Sequence, residues 1–264
     1  MSGILQMFVG TGSFVFFSTI SSNQVDYNLN TAMTAAGWNG TSPVVANVTI
    51  GSGVQITASA NTGPAFTVGS VPAGSSVYIT NNGYIVGRGG QGVGKGYPTS
   101  TSYNLTAPAT ANGGLALSVS SAVSIDNTNG TIGGGGGGGG AGGAQSADCS
   151  CTSCGGVALV SMGVGGSGAG FGTGGSGYEN WQNRYGYYTP ISSSAGGLTT
   201  ASTKYATGGT GGTLGVAGGT GTGSTQCGQT NLSGPGTGGA AGACTAGNSN
   251  ITWVNTGIRL GALG

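Results

Sequence analysis

The chain has 264 residues, of which 63 are glycine, none is histidine and only 3% are charged, for a net charge of +1. Such neutrality lacks the basic footprint of nucleic-acid binding, and the missing histidine removes the commonest general base and neutral metal ligand. The four acids, Asp26, Asp126, Asp148 and Glu179, stand far apart and share no catalytic spacing, so the inventory argues against an enzyme and calls for no cofactor.

Residues 4–20 are apolar and aromatic, with Phe8, Phe14, Phe16 and Phe17. No Lys or Arg precedes Arg88, so the basic n-region of a secretory signal is missing. Gly10, Thr11, Gly12 and Ser13 interrupt the stretch, which is therefore not read as membrane-spanning. Aromatic residues around a Gly-Ser turn predict two short strands, suited to docking a partner or to a core hairpin. Leu29, Ala32, Met33 and Ala36 then follow helical spacing, with Asn28 or Asn30 to cap the start and Gly37 to end it. Alternating strands are predicted over 44–50, 53–58, 65–68 and 76–80, separated by Gly, Pro and Asn turns. Residues 1–80 thus read as a small β-rich N-terminal domain for attachment or oligomerisation.

From Val77 a pattern begins that recurs 46 residues later at Val123. Each copy is a short strand, an Asn/Gly turn, an isoleucine (Ile85, Ile132) and then glycine. Two copies alone fall short of a solenoid. The second copy enters eight consecutive glycines, residues 133–140. Apolar residues at 36% with almost no net charge argue for order rather than a flexible linker. Glycine disfavours helix and strand interiors but is free to adopt polyproline-II-type geometry, and chains without side chains can approach until their backbones hydrogen-bond. The expected fold is mainly β and irregular: the N-terminal domain followed, over residues 81–264, by a bundle or sandwich of packed polyglycine-II helices joined by loops.

The loops would carry the function. The insert at 178–195 holds Tyr178, Trp181, Arg184, Tyr185, Tyr187 and Tyr188, and the insert at 97–112 adds Tyr97 and Tyr103. Tyr, Trp and Arg are the residues enriched at binding hot spots, although the same aromatics could instead cover a glycine core that lacks side chains. Cys149, Cys151 and Cys154 form a cluster without paired C-x-x-C knuckles, so they are weak metal candidates. Cys227 and Cys244 are candidates for a disulfide, leaving an odd thiol. Residues 251–259, with Trp253, read as a closing strand.

The run from Asn82 to Gly90, the Gly130-Thr131-Ile132 lead into residues 133–140, and the segment 208–212 together resemble the tail-fibre tip adhesins of T-even-like phages and glycine-rich receptor-binding proteins of other tailed phages. The resemblance implies a virion tail protein whose distal loops contact a host surface receptor, protein or polysaccharide, while its N-terminal region joins other phage tail proteins. Both a single copy and a homotrimer are compatible with that family. The Phe-rich start, the 44–80 strands and the cysteine cluster depart from the family pattern and leave the mode of attachment open. The rival readings are a structural tail-tip or fibre component without receptor contact, and an ice-binding antifreeze protein. Irregular glycine spacing and the Tyr-rich insert weigh against the latter.

Overall fold

The computed structural model describes residues 12–92, 112–142, 144–147, 159–161, 168–169, 206–223, 229–233 and 236–264. The chain divides into two compact units, neither a single stretch of sequence. One comprises Met1–Arg88, Gly114–Gly134 and Ala243–Gly264, the other Gly89–Gly113 and Gly135–Gly242.

The first unit is built of turns that repeat. β1 (Phe14–Ile20), β2 (Gln24–Val25) and β3 (Tyr27–Asn28) make the first turn, which ends in the helix α1 (Leu29–Ala35). β4 (Val44–Ile50), β5 (Gln55–Thr57) and β6 (Phe66–Val68) make the second. β7 (Ser76–Asn81), β8 (Tyr84–Val86) and β9 (Leu117–Val119) make the third. The fourth starts with β10 (Val123–Asp126) and β11 (Thr131–Gly133). Five short strands of the glycine-rich stretch follow: β12 (Ala144–Ala147), β13 (Leu159–Ser161), β14 (Ala206–Thr207), β15 (Thr222–Gly223) and β16 (Gln229–Ser233). Only then does β17 (Thr245–Ala246) complete the fourth turn, and β18 (Ile251–Asn255) and β19 (Ile258–Leu260) form the last.

Equivalent strands of successive turns stack into three parallel sheets, ordered β1-β4-β7-β10-β18, β2-β5-β8-β11-β19 and β3-β6-β9-β17. This is a parallel β-solenoid. Parallel sheets usually read as continuous apolar runs because both their faces are covered. Here only the inward face is covered, so the strands keep a period of two. In β4, for example, Val44, Ala46, Val48 and Ile50 are buried and the residues between them are not. Inward residues of all three sheets, such as Ile79, Ile125, Ile56, Ile85, Phe66 and Leu117, form one cluster. Full burial of each large aliphatic side chain contributes roughly 1.5–3 kcal/mol.

α1 forms where its spacing predicts. The Asn28 side chain accepts from the Thr31 amide at 3.1 Å, Leu29 and Met33 are fully buried, and Gly37 takes the left-handed conformation (φ +102°) that ends the helix. The four strands expected between residues 44 and 80 are also present.

One corner of the solenoid is held by asparagine. Asn81 Nδ2 donates to Asn127 Oδ1 at 2.7 Å, and Asn127 Nδ2 donates to the carbonyls of Thr256 (2.8 Å) and Ile258 (3.1 Å). Asn81 Oδ1 accepts from the Gly83 amide at 3.0 Å, so both buried carboxamides serve backbone groups that the bend takes out of the ladder. The bend itself needs glycine. A Cβ on Gly257, which lies at φ +53°, would sit 1.7 Å from the Asn127 carbonyl oxygen.

The expected bundle of polyglycine-II helices over residues 81–264 is overturned. Among the described residues the structure is β-rich, with parallel sheets and one α-helix, and it holds no such bundle. The two copies of the repeated pattern, read as strands handing over to glycine helices, are instead consecutive turns paired side by side, Ile79 with Ile125 and Ile85 with Ile132. Their β-branched residues gain more by burial in a shared core than by serving as isolated anchors. Strands out to Leu260 belong to the sheets that begin before residue 80.

Candidate functional site

The solenoid is interrupted twice, and at equivalent places. Both excursions, between β8 and β9 and between β11 and β17, start where the second sheet ends and return where the third begins. The points of departure and return are tied to the sheet backbone. The Gly87 amide donates to the Gly133 carbonyl at 2.9 Å and that of Gly134 to Leu260 at 2.9 Å. On the return, Gly114 donates to Arg88 at 2.7 Å and Ala116 to Ala243 at 3.1 Å. The Arg88 guanidinium also donates to the Ser59 carbonyl. Segments anchored in this way at both ends can change in length at little cost to the frame, because loop-closure entropy grows only slowly with length.

In the second unit glycine backbones lie against one another. The Gly137 amide donates to Val216 at 3.0 Å while its carbonyl accepts from Gly212 at 2.8 Å. Gly140 likewise donates to Gly219 at 2.9 Å and accepts from Gly209 at 2.8 Å, and Gly239 donates to Gly138 at 2.7 Å. Residues 135–142 are buried throughout. Amides of Gly136, Gly137 and Gly140 and carbonyls of Gly135, Gly136, Gly137, Gly138, Gly140 and Ala141 bond to other backbone, which helps so polar a stretch leave water. Around this lie an antiparallel sheet ordered β13-β12-β16 and the pair β14-β15.

Tyr97, Tyr103, Tyr178, Trp181, Arg184, Tyr185, Tyr187 and Tyr188 lie outside the described residues, as do Cys149, Cys151, Cys154 and Cys227. By sequence, Tyr97 and Tyr103 belong to the first excursion and the rest to the second. Cys244, the described member of the candidate disulfide pair, is a buried free thiol that donates to the Ile132 carbonyl at 3.3 Å. Burial pushes its pKa up to about 11, against weaker opposition from a backbone hydrogen bond and the charge of Arg259. The folded protein therefore keeps this proton over a pH range in which the unfolded thiol, with its ordinary pKa near 9, gives it up. The stabilisation is complete below pH 9 and is lost as pH climbs through 11. A series of melts from pH 8 to pH 11 is expected to show the decline, and Cys244→Ala should flatten it.

The last turn closes one end of the solenoid. Trp253 donates through Nε1 to Asn248 Oδ1 at 3.1 Å, and the Arg259 guanidinium sits 4.8 Å from its ring centre. Val254, Ile258 and Leu263 are about half exposed there, the first two on β18 and β19, each an outer strand of its sheet. The sequence showed this segment as a closing strand, but not that its apolar residues face outward, because nothing in the pattern marks the last turn of a stack.

A family model described as phage tail fibre adhesin Gp38 matches residues 16–264. Among solved structures the chain is similar to the crystal structure of the gp37-gp38 adhesin tip complex of the bacteriophage S16 long tail fibre. The two share 22% identity with a TM-score of 0.51, over 94% of this chain and 82% of that one. At that identity the likeness speaks for the fold alone. No curated protein matches the chain.

Proposed function

The chain belongs to the phage tail fibre adhesin Gp38 family, and from that membership we propose that it recognises its host through side chains carried on the two excursions, with the solenoid as the part that joins the tail. As a family member it is an adhesin of the virion tail and acts outside the bacterial cell. Membership favours this reading over an ice-binding protein. The candidate contact residues are Trp181, Arg184, Tyr185, Tyr187 and Tyr188 with Tyr178, Tyr97 and Tyr103, and the receptor is a host surface protein or polysaccharide. We read the chain as a binding protein without catalysis.

The observation that carries this reading is the shared point of departure. Two insertions of unequal length leave adjacent turns at the same corner, and every candidate aromatic lies in one of them. Such a layout lets the recognition surface change without touching the turns that hold it. Other phage tail proteins are the expected partners of the solenoid. The related solved structure is a gp37-gp38 adhesin tip complex of a long tail fibre, and β1 and β18, the outer strands of the first sheet among the described residues, suit end-on contact.

Replacing Trp181, Tyr185 and Tyr187 together by alanine in the full chain tests the reading. Hot-spot aromatics typically contribute about 2 kcal/mol or more each, so adsorption of assembled virions to host cells should fall by far more than tenfold. Tail assembly should be unchanged. If adsorption persists while assembly fails, the aromatic loop faces another tail subunit and the structural-component reading takes over.

A further inference from the structure

The outward face of the first sheet carries two rows of side chains that the adhesin reading does not use. The register aligns Thr19 with Thr49, Thr49 with Thr80, and Thr80 with Asp126. Beside this row runs a second, in which Phe17 stands opposite Asn47 and Asn47 opposite Tyr78. Alternation puts all of these outside while Phe16, Val48 and Ile79 point into the core. Phe17 is 39% exposed, Thr19 is exposed, and Thr49, Thr80 and Tyr78 are half-buried.

We propose that this face is a second binding site, separate from the excursions, for an extended segment of a neutral polysaccharide on the bacterial surface. Three features favour a glycan. Sugar hydroxyls both donate and accept, and so do the threonine hydroxyls and the Asn47 carboxamide, with Asp126 as an added acceptor. Among the described residues no hydrogen bond engages the side chains of Thr19, Thr49, Thr80 or Asn47. Aromatic rings pack against the C–H face of a pyranose, and Phe17 and Tyr78 stand two strands apart, roughly 10 Å at ordinary strand spacing. Between them the row repeats at about 4.8 Å, a regular ladder suited to a regular polymer.

Charge narrows the choice. Asp126 is the single side chain in these two rows that carries a charge at neutral pH. It stays ionised because the Thr128 hydroxyl and amide both donate to it, at 2.6 and 3.0 Å. An acidic glycan would meet that carboxylate with no cation to offset it, so a neutral chain fits. A protein partner fits less well, since the centres of protein interfaces are apolar and depleted of charge, whereas these two rows carry hydroxyls, a carboxamide and a carboxylate.

The test is titration calorimetry of the intact protein with delipidated neutral surface polysaccharide from a susceptible strain. The parent protein should bind saturably. Tyr78→Ala should weaken binding at least tenfold and Thr49→Val several-fold, the valine keeping the β-branched shape that the strand prefers. The Trp181, Tyr185 and Tyr187 triple variant should bind this polysaccharide as the parent does, which separates this site from the loop reading. Absence of binding by the parent protein overturns the proposal. So does unchanged affinity in Thr49→Val, which decides the matter even if Tyr78→Ala lowers the melting temperature. Loss of tail assembly in these variants with glycan binding intact would overturn it too, and would identify the face as a protein interface.

Discussion

Asn127→Ala is expected to lower the stability of the solenoid by about 3 kcal/mol, among the largest effects open to a single polar side chain in this protein. The substitution leaves two carbonyls, those of Thr256 and Ile258, and the Asn81 carboxamide without the partner each now has. Both asparagines are fully buried, so water does not readily replace what is lost. Each orphaned group costs roughly 1–3 kcal/mol, with the low end applying where the last turn lets solvent approach. Chemical denaturation followed by circular dichroism would measure the change. Asn81→Ala loses the same inter-asparagine bond from the other side. The double variant should therefore be less destabilised than the sum of the two single variants. Strict additivity would mean that the two residues act independently, against the Asn81–Asn127 hydrogen bond that joins them.

Gly137→Ala should damage the glycine-rich unit by about 3 kcal/mol or more and abolish adsorption with it. A Cβ there would lie 1.9 Å from the Gly239 carbonyl oxygen and 2.7 Å from the Gly218 amide nitrogen. Overpacking a core usually costs ~1–3 kcal/mol because side chains can rotate aside. Here the obstacles are backbone on two other segments, so relief requires those segments to part and give up their hydrogen bonds. Gly63→Ala is the control. Nothing lies within 4 Å of its added Cβ and its φ is ordinary, so it should be neutral or slightly stabilising through the unfolded state. Host-cell adsorption and a thermal melt on both variants would test the contrast. Equal behaviour would show that the glycines are tolerated as spacers rather than required by close approach.

Sequence alone determined the local features whose causes are local. The helix at Leu29–Ala35 is written in its apolar spacing and its Asn28 cap, and the strand Val44–Ile50 in its period of two. The glycine runs, the aromatic inserts and the closing strand with Trp253 were equally plain, and together with the resemblance they led to the adhesin reading. The repeat itself was visible at one spacing only. The register sets successive turns of the first sheet 30, 31, 46 and 128 residues apart. A search for a fixed period fails because two turns contain excursions and two do not.

Tertiary structure alone decided what the alternation meant. A strand that buries every second residue fits a sandwich, a barrel or a solenoid equally well, and the choice depends on which strand lies beside it. Pairing of Val48 with Ile79, and of Ile79 with Ile125, is a long-range choice made because stacked turns bury all three inward faces in one core. The same stacking places Thr19, Thr49 and Thr80 in one outward row, although nothing in sequence brings them together. Glycine misled for a related reason. It limits little by itself, so its abundance records that backbones come close without saying which ones. Only the hydrogen bonds from Gly137, Gly140 and Gly239 to their distant partners supply that answer.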